Sequence, residues 1–212
     1  MGTRREGGRV NADPSVVALY VGLAAAPLLL VACTAFTKVA VVLASVRVGL
    51  SAEVLLPYTA MLALALATTG IVMAPVAQEM WVVWEAVGEG SAWPSWSRHG
   101  LVALEPLRTF MSQHAGVEEI EFFAELAHTR EGDLRALIPA FLVAEIRAGL
   151  GIAVLILIPF VLLDLLVAQI LALCGLVLPN LSLVTLPLKV ALFLAADGFE
   201  LVLTNLVDGY SV

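Results

Sequence analysis

LIPAFLVAEIRAGLGIAVLILIPFVLLDLLVAQILALCGLVLPNLSLVTLPLKVALFLAADGFELVLTNLV, residues Leu137 to Val207, is the stretch that decides the fold. It holds two long apolar runs, Gly149 to Leu178 and Leu181 to Val207, with Pro179-Asn180 as the turn between them. Asp164, Lys189, Asp197 and Glu200 lie inside those runs. An unpaired charge at the centre of a bilayer costs at least about 2.5–3.5 kcal/mol. These four must therefore face protein or water. The pattern predicts a helical hairpin whose ionic side is covered by something else. One hairpin cannot bury both of its faces, so partners are expected.

Composition agrees with a membrane protein. Hydrophobic residues make up 61% of the 212 residues and charged ones only 14%, against roughly 45–50% and about 25% in soluble domains. Mean hydropathy is +0.99. The net charge of −7 disfavours nucleic acid and anionic lipid surfaces as partners. Cys33 and Cys174 both sit in apolar runs, where a thiol acts as a small hydrophobe. His99, His114 and His128 share no ligand spacing, so no metal or cofactor is expected.

The chain divides into four parts: a polar tail (1–15), a first apolar hairpin (16–78), a polar helical region (79–136) and the second apolar hairpin (137–212). Val16 to Ala44 carries Lys38 as its only charge. The run exceeds the ~20 residues that one crossing needs, and Pro27 predicts a kink or break within it. Arginines before an apolar run resemble a signal peptide, and Leu30-Val31-Ala32-Cys33 resembles a lipoprotein box. The apolar character continues past Cys33, which argues against cleavage. Ser45 to Leu56 reads as a connector containing Arg47. A second helix is expected over Pro57 to Val76, opened by Pro57 and closed by Pro75. Its Ala63, Ala65, Ala67, Thr68, Thr69 and Gly70 are small enough for close helix packing.

Glu79 to Arg135 is the one region of ordinary polarity. Gly88 to Ser91 and Trp93 to Trp96 are turn material. Trp81, Trp84, Trp93 and Trp96 suit an interfacial aromatic belt. Short amphipathic helices are expected over Glu105 to His114 and Val117 to His128, the second with Ile120, Phe123 and Leu126 on one face. Leu137 to Ala148 leads back to the apolar core through Pro139, Glu145 and Arg147. The third long helix is expected over Gly149 to Leu178 and the fourth over Leu183 to Val207. With four crossings, the positive-inside rule would place the polar region in the cytoplasm.

No phosphate-binding loop, dinucleotide fingerprint or nucleophile elbow is present, and nothing points to an enzyme. The embedded charges allow two readings, structural pairs between packed helices or a proton or ion relay. Lys189 and Asp197 are eight residues apart on one helix, roughly 12 Å at ~1.5 Å per residue. They cannot pair with each other. Each needs a partner from elsewhere, such as Glu145, Asp164 or a neighbouring copy. Assembly is favoured over relay; a small ion-coupled transporter is the alternative.

An ordered set of short motifs then carries a resemblance. Leu137-Ile138-Pro139-Ala140-Phe141 is followed by Glu145-Ile146-Arg147, then Ile158-Pro159-Phe160 and Leu163-Asp164-Leu165. Leu186-Pro187-Leu188-Lys189, Leu192-Phe193 and Asp197-Gly198-Phe199 come next. Upstream lie Phe36-Thr37-Lys38-Val39, Arg47, Val72-Met73-Ala74-Pro75-Val76 and Pro106-Leu107-Arg108 with Phe110-Met111. Over Thr34 to Val207 the chain resembles the FliP/SctR family of type III secretion export-gate proteins.

The resemblance implies an all-α fold of about four transmembrane-type helices assembling into a ring, a pentamer. It implies two further small hydrophobic subunits, FliQ/SctS-like and FliR/SctT-like, around a conduit for unfolded export substrates. It also implies a periplasmic polar region, which overrides the charge count, and an inner-membrane assembly raised toward the periplasm. Lys38, Arg47, Glu145, Asp164, Lys189, Asp197 and Glu200 are then candidate contacts between helices or subunits. The family's methionine-rich tip is replaced here by Leu176, Val177 and Leu178 after Gly175, a stiffer candidate seal. Leu56-Pro57-Tyr58 departs from the family's Pro-Pro-Asn. A long cleaved signal is not evident, which tilts the reading toward the injectisome branch.

Overall fold

The computed structural model describes residues 14–53, 55–88, 102–176 and 180–210. The tail 1–13, Trp93, Trp96, Pro179 and the two seal candidates Val177 and Leu178 lie outside the described residues. The described residues form helices and no strand. In chain order the helices are α1 (Pro14–Ala32), α2 (Phe36–Gly49), α3 (Tyr58–Gly88), α4 (Glu105–His114), α5 (Val117–Leu126), α6 (Leu134–Leu173), α7 (Ser182–Ala195) and α8 (Gly198–Asp208).

The first apolar run is two helices, and its break falls at residues 33–35 rather than at Pro27, which sits inside α1. Threonine side chains supply the physical reason. Thr34 Oγ1 bonds the Leu30 carbonyl at 2.6 Å, and Thr37 Oγ1 bonds the Val31 carbonyl at 3.0 Å. These side chains compete for carbonyls at the end of α1. Ser45 to Gly49 belong to α2 instead of the connector. Pro75 does not end its helix; α3 continues through Trp81 and Trp84 to Gly88.

The expected helix over 105–114 is α4, and α5 ends two residues short of His128. On α5 the packed apolar residues are Ile120 and Phe123, whereas Leu126 is exposed. The third long helix starts at Leu134, not Gly149. Asp133 caps it, its carboxylate accepting from the Arg135 N–H at 3.0 Å. It carries both Pro139 and Pro159 internally and ends at Leu173. The last run breaks at Ala196–Asp197, where α7 and α8 meet at 58°. Asp197 is left-handed there, with φ +48°.

Among the described residues, two helices, Tyr58–Ala86 and Leu134–Leu173, are long and apolar enough to cross a membrane, and α7 with α8 makes a third if taken as one bent span. The run expected to cross first is divided between 19 and 14 residues.

The centre of the fold is the seam between α2 and α6. A Cβ on Gly149 would stand 3.3 Å from the Lys38 Cα, and one on Gly49 would stand 2.6 Å from the Phe160 ring. Lys38 and Gly49 are eleven residues apart, as are Gly149 and Phe160, so α2 and α6 run parallel in one register. Eleven residues is about three turns. Gly149 lets the two backbones approach closely, and Gly49 makes room for the Phe160 ring. Val39, Val42, Leu43 and Val46 of α2 fill the seam together with Phe160 of α6, Ala65 of α3, Phe193 of α7 and Leu206 of α8. A second cluster, at the α4 end, gathers Cys33, Phe110, Met111, Leu137 and Phe141. Of the small residues on α3, Ala65, Thr68 and Thr69 are buried, while Ala63, Ala67 and Gly70 are exposed. Only one side of that stretch therefore serves packing within the chain.

Candidate functional site

The embedded charges converge at the two ends of the α2–α6 seam. At the first end Lys38, on the first turn of α2, is 7% exposed and Glu145 of α6 is 2% exposed. Lys38 Nζ donates to Glu145 Oε1 at 3.3 Å. The other carboxylate oxygen accepts from the Tyr210 hydroxyl, and Lys38 Nζ stands 3.6 Å from the Tyr210 ring centroid. Burial, then the Glu145 charge and its hydrogen bond, push the Tyr210 phenol above its usual range, so it stays a donor. Both carboxylate oxygens are thus satisfied away from water, as a buried charge requires.

At the second end Lys189 of α7 is 2% exposed. Its Nζ donates to Asp164 Oδ2 of α6 at 2.6 Å and to Ser51 Oγ at 3.1 Å. Ser51 follows α2 in a left-handed conformation, φ +53°, which turns its hydroxyl toward Lys189. The Asp164 side chain remains 34% exposed. One turn before Lys189, Thr185 Oγ1 is buried without a hydrogen-bond partner among the described residues.

The structure therefore brings four of the seven charged candidates into two pairs inside one chain. The partner that Lys189 needs is Asp164. Arg47 joins neither pair. Its guanidinium donates to the Leu56 carbonyl at 2.7 Å and the Glu53 carbonyl at 3.0 Å, holding its own connector. Asp197 and Glu200 are exposed at the α7–α8 bend, with no ion pair among the described residues. Leu176 is exposed.

Three participants were not singled out from the sequence. Tyr210 lies two residues beyond the end of α8. Ser51 is a polar residue in a connector. Glu119 is one of three glutamates over residues 118–121, a charge run that suits a solvated helix face, yet it is buried and pairs with Arg147 of α6. The glutamate sits on the first turn of α5, folded over Gly116, where a Cβ would overlap its carboxylate.

Glu145 and Asp164 are nineteen residues apart on α6, roughly 28 Å at ~1.5 Å per residue. The one titratable residue between them, Arg147, faces Glu119. Two separated and internally neutral pairs tie helices together; they do not form a continuous relay.

Long apolar helices whose buried lysines are paired inside the chain fit a membrane-associated structural subunit. The chain matches the FliP family over residues 19–206 and belongs to that family. It is a component of the export apparatus of flagellar and injectisome type III secretion, and it is not an enzyme. It is 33% identical over 207 residues to the harpin secretion protein HrpW of Pseudomonas syringae pv. syringae, covering 92% of this chain and 100% of that one. It is 32% identical over 196 residues to the virulence protein YscR of Salmonella typhimurium, covering 87% and 91%. To the flagellar biosynthetic protein FliP of Bacillus subtilis it is 27% identical over 213 residues, covering 95% and 93%. These relatives carry both flagellar and secretion names, so the likeness does not divide the two branches. The apolar helices fit a place in the inner membrane.

Proposed function

We propose that this chain is a ring-forming subunit of the export gate. Five copies, with FliQ/SctS-like and FliR/SctT-like subunits, enclose a conduit for unfolded export substrates. Residues 16–78 and 137–212 are its two apolar hairpins, and 79–136 is its periplasmic part. Leu176, Val177 and Leu178 line the seal, and Asp197 and Glu200 contact neighbouring subunits.

One observation carries this reading. The chain neutralises its buried charges internally yet leaves a long apolar surface uncovered. Leu150, Val154, Leu155, Leu162, Leu166 and Ile170 of α6 are all exposed. A groove of about 510 Å³ runs between α6 and the α7–α8 bend, lined by Leu155, Pro159, Phe193 and Leu201. Contiguous apolar surface of this extent marks an interface with protein or membrane. The 14 residues of α2 reach roughly 21 Å, short of a ~30 Å hydrocarbon core. That length suits a helix packed on protein above the bilayer plane.

Mass measurement of the gently extracted complex tests the reading. A particle several times the 22.4 kDa chain mass, containing two other small hydrophobic subunits, is expected. A monomer carrying only lipid would defeat it. For the seal, Leu176→Gly with Leu178→Gly should increase leak of small solutes through assembled gates; unchanged permeability removes them from that role.

A further inference from the structure

Gly209 and Tyr210 do not trail away from α8. The Gly209 N–H bonds the Asn205 carbonyl at 3.2 Å and the Tyr210 N–H bonds the Val207 carbonyl at 3.0 Å, which turns the chain back onto the bundle. Tyr210 then meets three elements at once. Its ring stacks on Phe110 of α4, centroids 5.8 Å apart and 24° between planes, and lies 5.1 Å from the His114 ring. Its ring face covers Lys38 of α2, and its hydroxyl reaches Glu145 of α6. The charged and titratable groups around it are Lys38, Glu145 and His114, one from each packed helix. The His114 Nδ1 is already engaged with the Phe110 carbonyl at 2.8 Å.

We propose that Tyr210 is a latch that closes the first hairpin, the polar region and the second hairpin onto one another. The Lys38–Glu145 pair belongs to the two hairpins alone, but its seal from water belongs to Tyr210. The seam is therefore locked at this end only once Tyr210 is in place. Any group that competes for Lys38 or Glu145 must first displace the tyrosine. This holds whether or not the subunit forms a ring.

The chain carries its own reporters. Cys33 is buried in the cluster against which Tyr210 packs, and Cys174 is exposed at the far end of α6. Membranes containing the full chain and its co-expressed partners are treated with N-ethylmaleimide, and the labelling rate of each cysteine is followed by mass spectrometry. Tyr210→Ala should raise the Cys33 rate about tenfold or more, since a hydrogen bond to a charged group and an aromatic stack are lost together, and leave Cys174 unchanged. Tyr210→Phe keeps the ring and should give a smaller rise. An unchanged Cys33 rate in Tyr210→Ala, with Cys174 also unchanged, overturns the latch. If Tyr210→Ala does not accumulate, Tyr210→Phe decides: a raised Cys33 rate supports the latch and a wild-type rate refutes it.

Discussion

The two ends of the α2–α6 seam hold the same chemical pair in different surroundings. Lys38–Glu145 is closed on all sides, with an aromatic ring as its lid. Lys189–Asp164 is closed around the ammonium but leaves a third of the aspartate side chain open. The Coulombic attraction is comparable; the water available to a widowed partner is not. Breaking a buried pair by deleting one member costs about 3–5 kcal/mol, because the other charge is left uncompensated. A partner that can turn to water recovers much of that loss.

The largest expected effect follows directly. Lys38→Met should destabilise by about 3–5 kcal/mol. Lys189→Met should cost less, about 1–3 kcal/mol, because Asp164 retains access to solvent. Reversible unfolding in mixed micelles, followed by tryptophan fluorescence, measures both. Equal losses would show that burial does not distinguish the two ends. The same Lys189 variant should reduce assembly more than expression; intact rings in native gels would count against a role for that end in the oligomer.

Next comes the close approach between the ends. Gly149→Leu drives a side chain against the Lys38 backbone and should cost about 1–3 kcal/mol. Gly70→Leu, where nothing lies within 4 Å of an added Cβ, should stay within about 0.5 kcal/mol. If both substitutions are silent by the same assay, the helices do not meet as closely as described.

The smallest effect is a gain. Asp197 is held left-handed at φ +48°, a conformation that costs a non-glycine residue roughly 1–2 kcal/mol. Asp197→Gly should raise the unfolding midpoint modestly. A lower midpoint would mean that the carboxylate makes a stabilising contact in the assembly that outweighs the backbone strain.

Helix type was legible in the residues, because apolar length and proline position are local signals. Helix ends were less so. Pro27 and Pro75 mark no end, since long apolar helices absorb a lost N–H; Thr34, Thr37 and a left-handed Asp197 do the breaking instead. The embedded charges were visible as a problem needing a solution. Spacing on one helix excluded Lys189 with Asp197 but did not select Asp164, since that choice depends on how α7 packs back on α6. Of the candidate partners for Lys189, namely Glu145, Asp164 or a neighbouring copy, the fold brings Asp164 to it. Tyr210 was illegible for the opposite reason. Its neighbours come from residues 38, 110, 114 and 145, and no local pattern announces so distant a convergence.

Cancellation of the buried charges within the chain is the central feature of the fold, and a double-mutant cycle at the sealed end tests it most directly. Glu145→Gln keeps an acceptor for the Tyr210 hydroxyl while removing the charge. In the Lys38→Met background it should restore most of the stability that Lys38→Met alone loses, a coupling of about 3 kcal/mol. If the two losses simply add, the lysine and glutamate are not each other's counter-charge, and the internal neutralisation described here is wrong.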